Sequence, residues 1–250
     1  FGREPHSYRD LEGNLELGHA YHMHEEDPQS TVCLNKNELT AHTFITGSTG
    51  AGKSNTIYQM LDRLCPLNSQ AVHFLVVEPT KGEYKDIFGG REDVAVYGTN
   101  PHKSQLLHIN PFSFPEDIHV LEHIDRLVEV FNACWPMYAA MPAVLKDAME
   151  ASYVSCGWSL GRSTCAIRPK RFPTFETLLQ RLPEILENSA YSQDTKGDYT
   201  GALVTRIKSL TNGINGQIFC SEDEIKNKEL FDKNAIVDLS RIGSMETKSL

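Results

Sequence analysis

The consecutive residues Gly47, Ser48, Thr49, Gly50, Ala51, Gly52, Lys53 and Ser54 have the types and spacing to hold a nucleoside triphosphate. Gly47, Gly50 and Gly52 can adopt positive φ and lack a Cβ, so the backbone can wrap until successive N–H groups point at phosphate oxygens. Ser48, Thr49 and Ala51 lend their own N–H groups to the same cradle. Lys53 would reach the β- and γ-phosphates as a point charge, and the Ser54 hydroxyl would be a ligand of Mg²⁺. Asn55 continues the run into a helix-like segment, whose positive dipole end and unpaired first-turn N–H groups favour an anion. ATP with Mg²⁺ is the expected cofactor pair.

Such a loop must be presented by a strand and a helix. The apolar run 42–46 predicts the strand, and 55–64, ending before Pro66, predicts the helix. The next strand, 71–77, is continuously apolar, as expected of a strand buried on both faces. It leads into Glu78-Pro-Thr-Lys-Gly-Glu83-Tyr84. Ligands bind at the carboxyl ends of parallel strands, so Glu78 or Glu83 could polarise a water or help hold the metal; either could equally cap the following turn. Residues 94–97 and 106–110 read as further strands, and 31–34 as a short earlier one.

From residue 117 the periodicity becomes helical. Val120, Ile124, Leu127, Val128 and Phe131 form one stripe, and helices are predicted over 119–133, 143–156, 174–189 and 199–210. The strand 235–239 then returns to the sheet with Asp238 near its end. The predicted fold is α/β, a P-loop domain with a mainly parallel sheet and a helical insert. Four segments follow: 1–40 as the tail of an earlier module with a leading strand, 41–115 as the first part of the core, 116–215 as the insert, and 216–250 as the return to the core.

The composition limits the alternatives. A chain of 250 residues with 40% hydrophobic and 23% charged content is globular. Its apolar runs fall short of the roughly 20 residues that cross a bilayer. No signal peptide is visible, and the cytoplasm is the expected location. A net charge of −9 speaks against a freely sticky nucleic-acid coat, though not against a motor that touches DNA through a few basic loops. The basic run 168–171 reads as a solvated loop. Six cysteines lie scattered without a C-x-x-C pair and read as small core or surface residues. His19, His22 and His24 lack partners at metal-ligand spacing and read as a polar loop. Trp135, Tyr138, Trp158 and Phe175 could stack on bases, but core packing is the simpler expectation. Both ends read as cut, so a fragment of a longer chain is expected.

Phosphate loops serve kinases, GTPases and motors alike. The surrounding residues discriminate. The run from His42 through Lys53-Ser54-Asn55-Thr56 resembles the loop of the HerA/FtsK group of DNA-pumping ATPases, and Gly82-Glu83-Tyr84 looks like that family's segment after the second strand. Asn110-Pro-Phe-Ser-Phe-Pro115, Trp135-Pro-Met-Tyr-Ala-Ala-Met-Pro142 and Val237-Asp-Leu-Ser240 are similar to a bacterial HerA-like subgroup, so the resemblance spans residues 31–250. It implies a RecA-like sheet preceded by a small β-barrel, and a homo-hexameric ring that moves duplex DNA. A nuclease or sirtuin-type NAD-hydrolase effector in anti-phage defence is implied as partner. It places Asp238 as a metal-side acid, and the catalytic carboxylate and arginine finger beyond residue 250. Two other readings stay open: a regulatory ATP-binding ring that gates an effector without pumping DNA, and a small-molecule or nucleotide kinase with the insert as lid.

Overall fold

The computed structural model describes residues 13–22, 25–67, 72–221 and 224–249. Strands β1 (Leu15–His22) and β2 (Glu25–Leu34) form an antiparallel hairpin whose register shifts twice. Helix α1 (Lys53–Leu64) follows the glycine loop. Strand β3 (Leu75–Glu78), the short helix α2 (Tyr84–Phe88), strand β4 (Val94–Gly98) and the two-residue β5 (Gln105–Leu106) come next. Helices α3 (Val120–Cys134) and α4 (Met141–Ser155) precede the two-residue strands β6 (Trp158–Ser159) and β7 (Thr164–Cys165). Helices α5 (Phe175–Glu187), α6 (Gln193–Thr211), α7 (Gly213–Phe219) and α8 (Asn227–Phe231) lead to strand β8 (Asn234–Asp238) and helix α9 (Met245–Ser249).

The main sheet has the order β3-β8-β4-β5. Ala235 donates its N–H to Phe74 O (2.8 Å) and Leu239 donates to Glu78 O (2.9 Å). The offset is the same in both bonds, so β3 and β8 run parallel; β4 and β5 are parallel as well. The expected α/β fold with a parallel sheet is therefore present. Among the described residues, no helix is long and apolar enough to cross a membrane.

The chain divides into two compact units. The first comprises Phe1–Val76, Glu83–Ala95 and Asn227–Ile236. It contains the hairpin, the glycine loop, α1 and α2, and its polar centre is a chain of hydrogen bonds. Arg91 grips both oxygens of Asp93 (2.9 and 2.7 Å) and donates to Cys65 O at the end of α1 (2.8 Å). The buried Asn234 donates to Asp93 Oδ2 (3.0 Å) and accepts from Phe74 N–H (3.1 Å). One planar guanidinium and one amide thus join the end of α1, the start of β8 and the chain entering β3.

The second unit comprises Val77–Gly82, Val96–Lys226 and Val237–Leu250. Its core is helical, and the periodicity that predicted the helices is the one that is buried. Val120, Ile124, Leu127 and Phe131 line the inner face of α3; Phe175, Leu178, Leu182 and Leu186 line that of α5; Tyr199, Leu203, Ile207 and Leu210 line that of α6. Helix α5 starts on a reciprocal capping box between Thr174 and Thr177. The Phe175 ring meets Phe112, Phe131 and Phe219 edge-on at 5.2, 5.9 and 5.7 Å. Of the four insert aromatics, Trp135, Trp158 and Phe175 are core, and Tyr138 is exposed. The basic run is a loop in which Lys170 pairs with Glu116. All six cysteines are free thiols.

Several expectations are corrected. Residues 42–46 enter no ladder among the described residues, and Phe44 is 88% exposed, since no neighbouring strand meets its backbone or covers its ring. The second strand begins at Leu75, Ala71 lying outside the described residues, and it is not buried on both faces: β3 is a sheet edge with Leu75 and Val77 exposed. Apolar composition records a capacity for burial, whereas strand order decides which face is covered. The strand expected over 106–110 shrinks to β5, because Ile109 N–H bonds Ile218 O instead of continuing the ladder (2.9 Å). The short strand at 31–34 is the end of β2, and the polar sequence before it hides the hairpin. His19 bonds Glu26 (2.7 Å), and His24 lies outside the described residues.

Leu182 has no exposed surface, so Leu182→Ala should destabilise the protein by about 2–5 kcal/mol in urea unfolding, whereas Val154→Ala on the exposed side of α4 should change little. The Arg91 hydrogen bonds hold the Asp93 carboxyl below its ordinary value. A depressed carboxyl stabilises fully above its unfolded pKa, near 3.9, and that stability is lost as pH falls through the folded value. Unfolding free energy should therefore drop as pH goes from about 5 to about 2, and Asp93→Asn should be less stable at neutral pH and lose less on acidification.

Candidate functional site

The glycine loop is built by two unusual backbone residues and one tight contact. Gly50 (φ 81°) and Gly52 (φ 87°) occupy the left-handed region that L side chains avoid. Gly47 does not, and its need is space: a Cβ there would stand 3.3 Å from the Ala51 Cβ. Ala51 N–H closes the turn onto Ser48 O (3.2 Å). Gly52 caps α1, and Thr56 N–H returns to its carbonyl at 2.9 Å as the first helical bond. By the geometry of a helix start, the N–H groups of Lys53, Ser54 and Asn55 therefore lead out of the helix end. The first turn carries no acidic residue to offset its positive end. An anion is the natural complement.

Lys53 lies arched over the loop. Its ammonium donates to Gly47 O (2.8 Å) and Ser48 O (2.7 Å), which occupies two of its three donors with carbonyls that a phosphate oxygen would replace. Ser48, Thr49, Ala51 and Asn55 are exposed around this arch, while Ser54 is half-buried in the first turn. A hydroxyl oxygen is a hard donor suited to Mg²⁺, which commonly takes one or two protein oxygens beside substrate phosphates. On that donor chemistry, the Ser54 hydroxyl in the first turn of α1 fits the cation.

The three candidate acids fall into different settings. Glu78 and Asp238 end β3 and β8, and the shared offset of the Phe74–Ala235 and Glu78–Leu239 bonds sets them level with each other on one face of the sheet. Both are buried, 5% and 6% exposed, and Asp238 Oδ1 accepts from Ser240 N–H (3.0 Å). Nearby, Lys248 donates to Pro79 O (2.6 Å). Glu83 is exposed and occupies the position before α2, yet its side chain makes no cap bond to that helix. Its carboxylate instead accepts a hydrogen bond from Tyr58 OH on α1 (3.3 Å). Tyr58 is a residue that the motif reading missed; its spacing of four from Ser54, one helical turn on the same face, is the signal that could have found it.

Because nothing crowds a Cβ at Gly52, the cost of Gly52→Ala lies in its left-handed backbone. It should destabilise the fold by about 1–2 kcal/mol and weaken binding of a fluorescent ATP analogue, both measurable on one preparation.

Residues 15–249 match the family described as "Helicase HerA, central domain". Among solved structures, VirB4 of Thermoanaerobacter pseudethanolicus superposes with a TM-score of 0.62 at 17% identity, over 95% of this chain and 60% of that one. This chain thus spans about 60% of the length of that VirB4 chain. No curated protein matches the sequence. The VirB4 likeness establishes a shared fold, and the family match covers nearly the whole sequence, glycine loop included; this chain belongs to the HerA central-domain family and is a P-loop ATPase domain of the HerA/FtsK type.

Proposed function

We propose that this chain is the nucleotide-binding part of a HerA-like motor that binds and hydrolyses ATP with Mg²⁺, assembles as a homo-hexameric ring and translocates on or unwinds duplex DNA. The observation that carries the reading is the cradle at the start of α1, with Gly50 and Gly52 left-handed and Lys53 arched over the loop. Phosphoryl transfer asks little covalent chemistry of a protein: its catalysis is positioning and charge neutralisation. Gly47, Ser48, Thr49, Gly50, Ala51, Gly52 and Asn55 contribute the backbone and rim of the cradle, Lys53 the charge on the β- and γ-phosphates, and Ser54 the ligand for Mg²⁺. Glu78 and Glu83 are the carboxylates we assign to polarising a water or helping to hold the metal, with Asp238 on the metal side. A bound Mg²⁺ would supply charge neutralisation at the phosphates.

Family membership supports the motor, since the family is described by a helicase, and the resemblance to the HerA/FtsK ATPases implies the ring. The resemblance to bacterial HerA-like proteins supports a partner effector, a nuclease or a sirtuin-type NAD hydrolase, and a role in anti-phage defence.

The test is ATP hydrolysis by the full-length protein with and without duplex DNA across a salt series. Duplex should stimulate turnover, and the stimulation should fade with salt as phosphate contacts are screened. Lys53→Ala should abolish nucleotide binding or turnover while leaving the unfolding transition unchanged; retained ATP affinity and hydrolysis would overturn the site. Hydrolysis indifferent to DNA, with effector activity following the nucleotide state, would replace the motor by a regulatory ATP-binding ring.

A further inference from the structure

Tyr58 faces two demands at once. Its ring is packed edge-on against Tyr84 at 4.9 Å and Phe88 at 6.1 Å, and Phe88 in turn leans on Phe74 at 5.7 Å. A phenylalanine would meet that demand equally well. The hydroxyl meets the other: it reaches Glu83 Oε2 across 3.3 Å. Hydrogen bonds of catalytic carboxylates are often this long before the substrate is bound.

The position of Tyr58 on α1 gives the bond its meaning. Ser54 and Tyr58 are four residues apart, on the same face of the helix and about 6 Å along its axis. Helical side chains lean towards the N-terminus, so the Tyr58 ring leans towards the turn that carries Ser54. Glu83 is thereby tied to the face of α1 on which the Ser54 hydroxyl sits, although it belongs to a different segment of the chain. The Gly82-Glu83-Tyr84 segment contributes twice: Tyr84 packs the ring that holds the neighbouring carboxylate.

We propose that Tyr58 is a positioning residue, whose hydroxyl holds the Glu83 carboxylate on the Ser54 face of α1 so that it accepts a hydrogen bond from a water of the Mg²⁺ that Ser54 would ligate. The inference rests on the P-loop ATPase reading and deepens it by giving Glu83 a role at the metal through its hydrogen bond to Tyr58 on α1. Partners in a metal's outer shell orient its ligands, and removing one commonly lowers metal affinity or activity by about 10- to 100-fold.

The experiment uses the full-length protein with ATPγS as nucleotide and Mn²⁺ as the probe metal. Tyr58→Phe and Glu83→Gln should each weaken Mn²⁺ binding to the nucleotide complex by about tenfold, and the double variant should be no weaker than either single. Nucleotide affinity without metal and the thermal unfolding midpoint should stay at their wild-type values. With Mg²⁺ and ATP, kcat should fall by a similar factor while KM holds. Wild-type metal affinity in Tyr58→Phe, or losses that multiply in the double variant, would overturn the proposal. Failure of the parent reading looks different: wild-type protein without hydrolysis, or Lys53→Ala that still turns over, removes the ATPase assignment and this inference with it. Tyr58→Phe at wild-type metal affinity and kcat, beside an inactive Lys53→Ala, removes the inference alone.

Discussion

The pairing of Arg91 with Asp93, and of Asp93 with Asn234, is the interaction on which the arrangement of the main sheet depends. Asn234 opens β8, and its amide both receives the N–H of Phe74 and donates to Asp93. A buried amide with one satisfied geometry fixes register more sharply than apolar contacts, which tolerate sliding. The offset established at Phe74 and Ala235 is the one found again at Glu78 and Leu239. Two acids far apart in sequence therefore finish level at the carboxyl ends of adjacent strands.

The same cluster bears on the phosphate loop. Arg91 holds the carbonyl of Cys65 at the end of α1, and lies 6.0 Å from the centre of the Phe88 ring that takes part in packing Tyr58. The helix that presents Lys53 and Ser54 at one end is anchored by a guanidinium at the other. A phosphate site gains from such rigidity, since electrostatic stabilisation is largest where the dipoles need no rearrangement when charge arrives. The loop itself is less committed: Lys53 rests on Gly47 O and Ser48 O, interactions that a triphosphate would exchange for its own oxygens.

Much of the fold was legible because helices are local. The stripe of Val120, Ile124, Leu127 and Phe131 needs only the helical repeat to be recognised, and each of these residues is buried. The P-loop was legible for the same reason, as its chemistry lies in consecutive backbone units. The sheet was read less well. Residues 42–46 and 71–77 look equally strand-like, yet pairing, exposure and strand ends depended on partners from distant segments. The hairpin of β1 and β2 escaped notice because β2 opens on the polar run Glu25-Glu-Asp-Pro-Gln-Ser30, which lacks the apolar alternation that betrays a half-buried strand.

What the sequence alone determined is the glycine loop at the start of α1 and the helices with their buried stripes, features whose interactions run between near neighbours in the chain. What only the tertiary structure decided is the company kept by the acids. Glu78 stands level with Asp238, and Glu83 hangs from Tyr58 on the helix of the cradle. Carboxylates have no periodic signature, and their roles come from which distant segment folds against them. The reason is physical: which distant segment meets a carboxylate is settled only when the chain folds, and spacing around the carboxylate carries no record of that pairing.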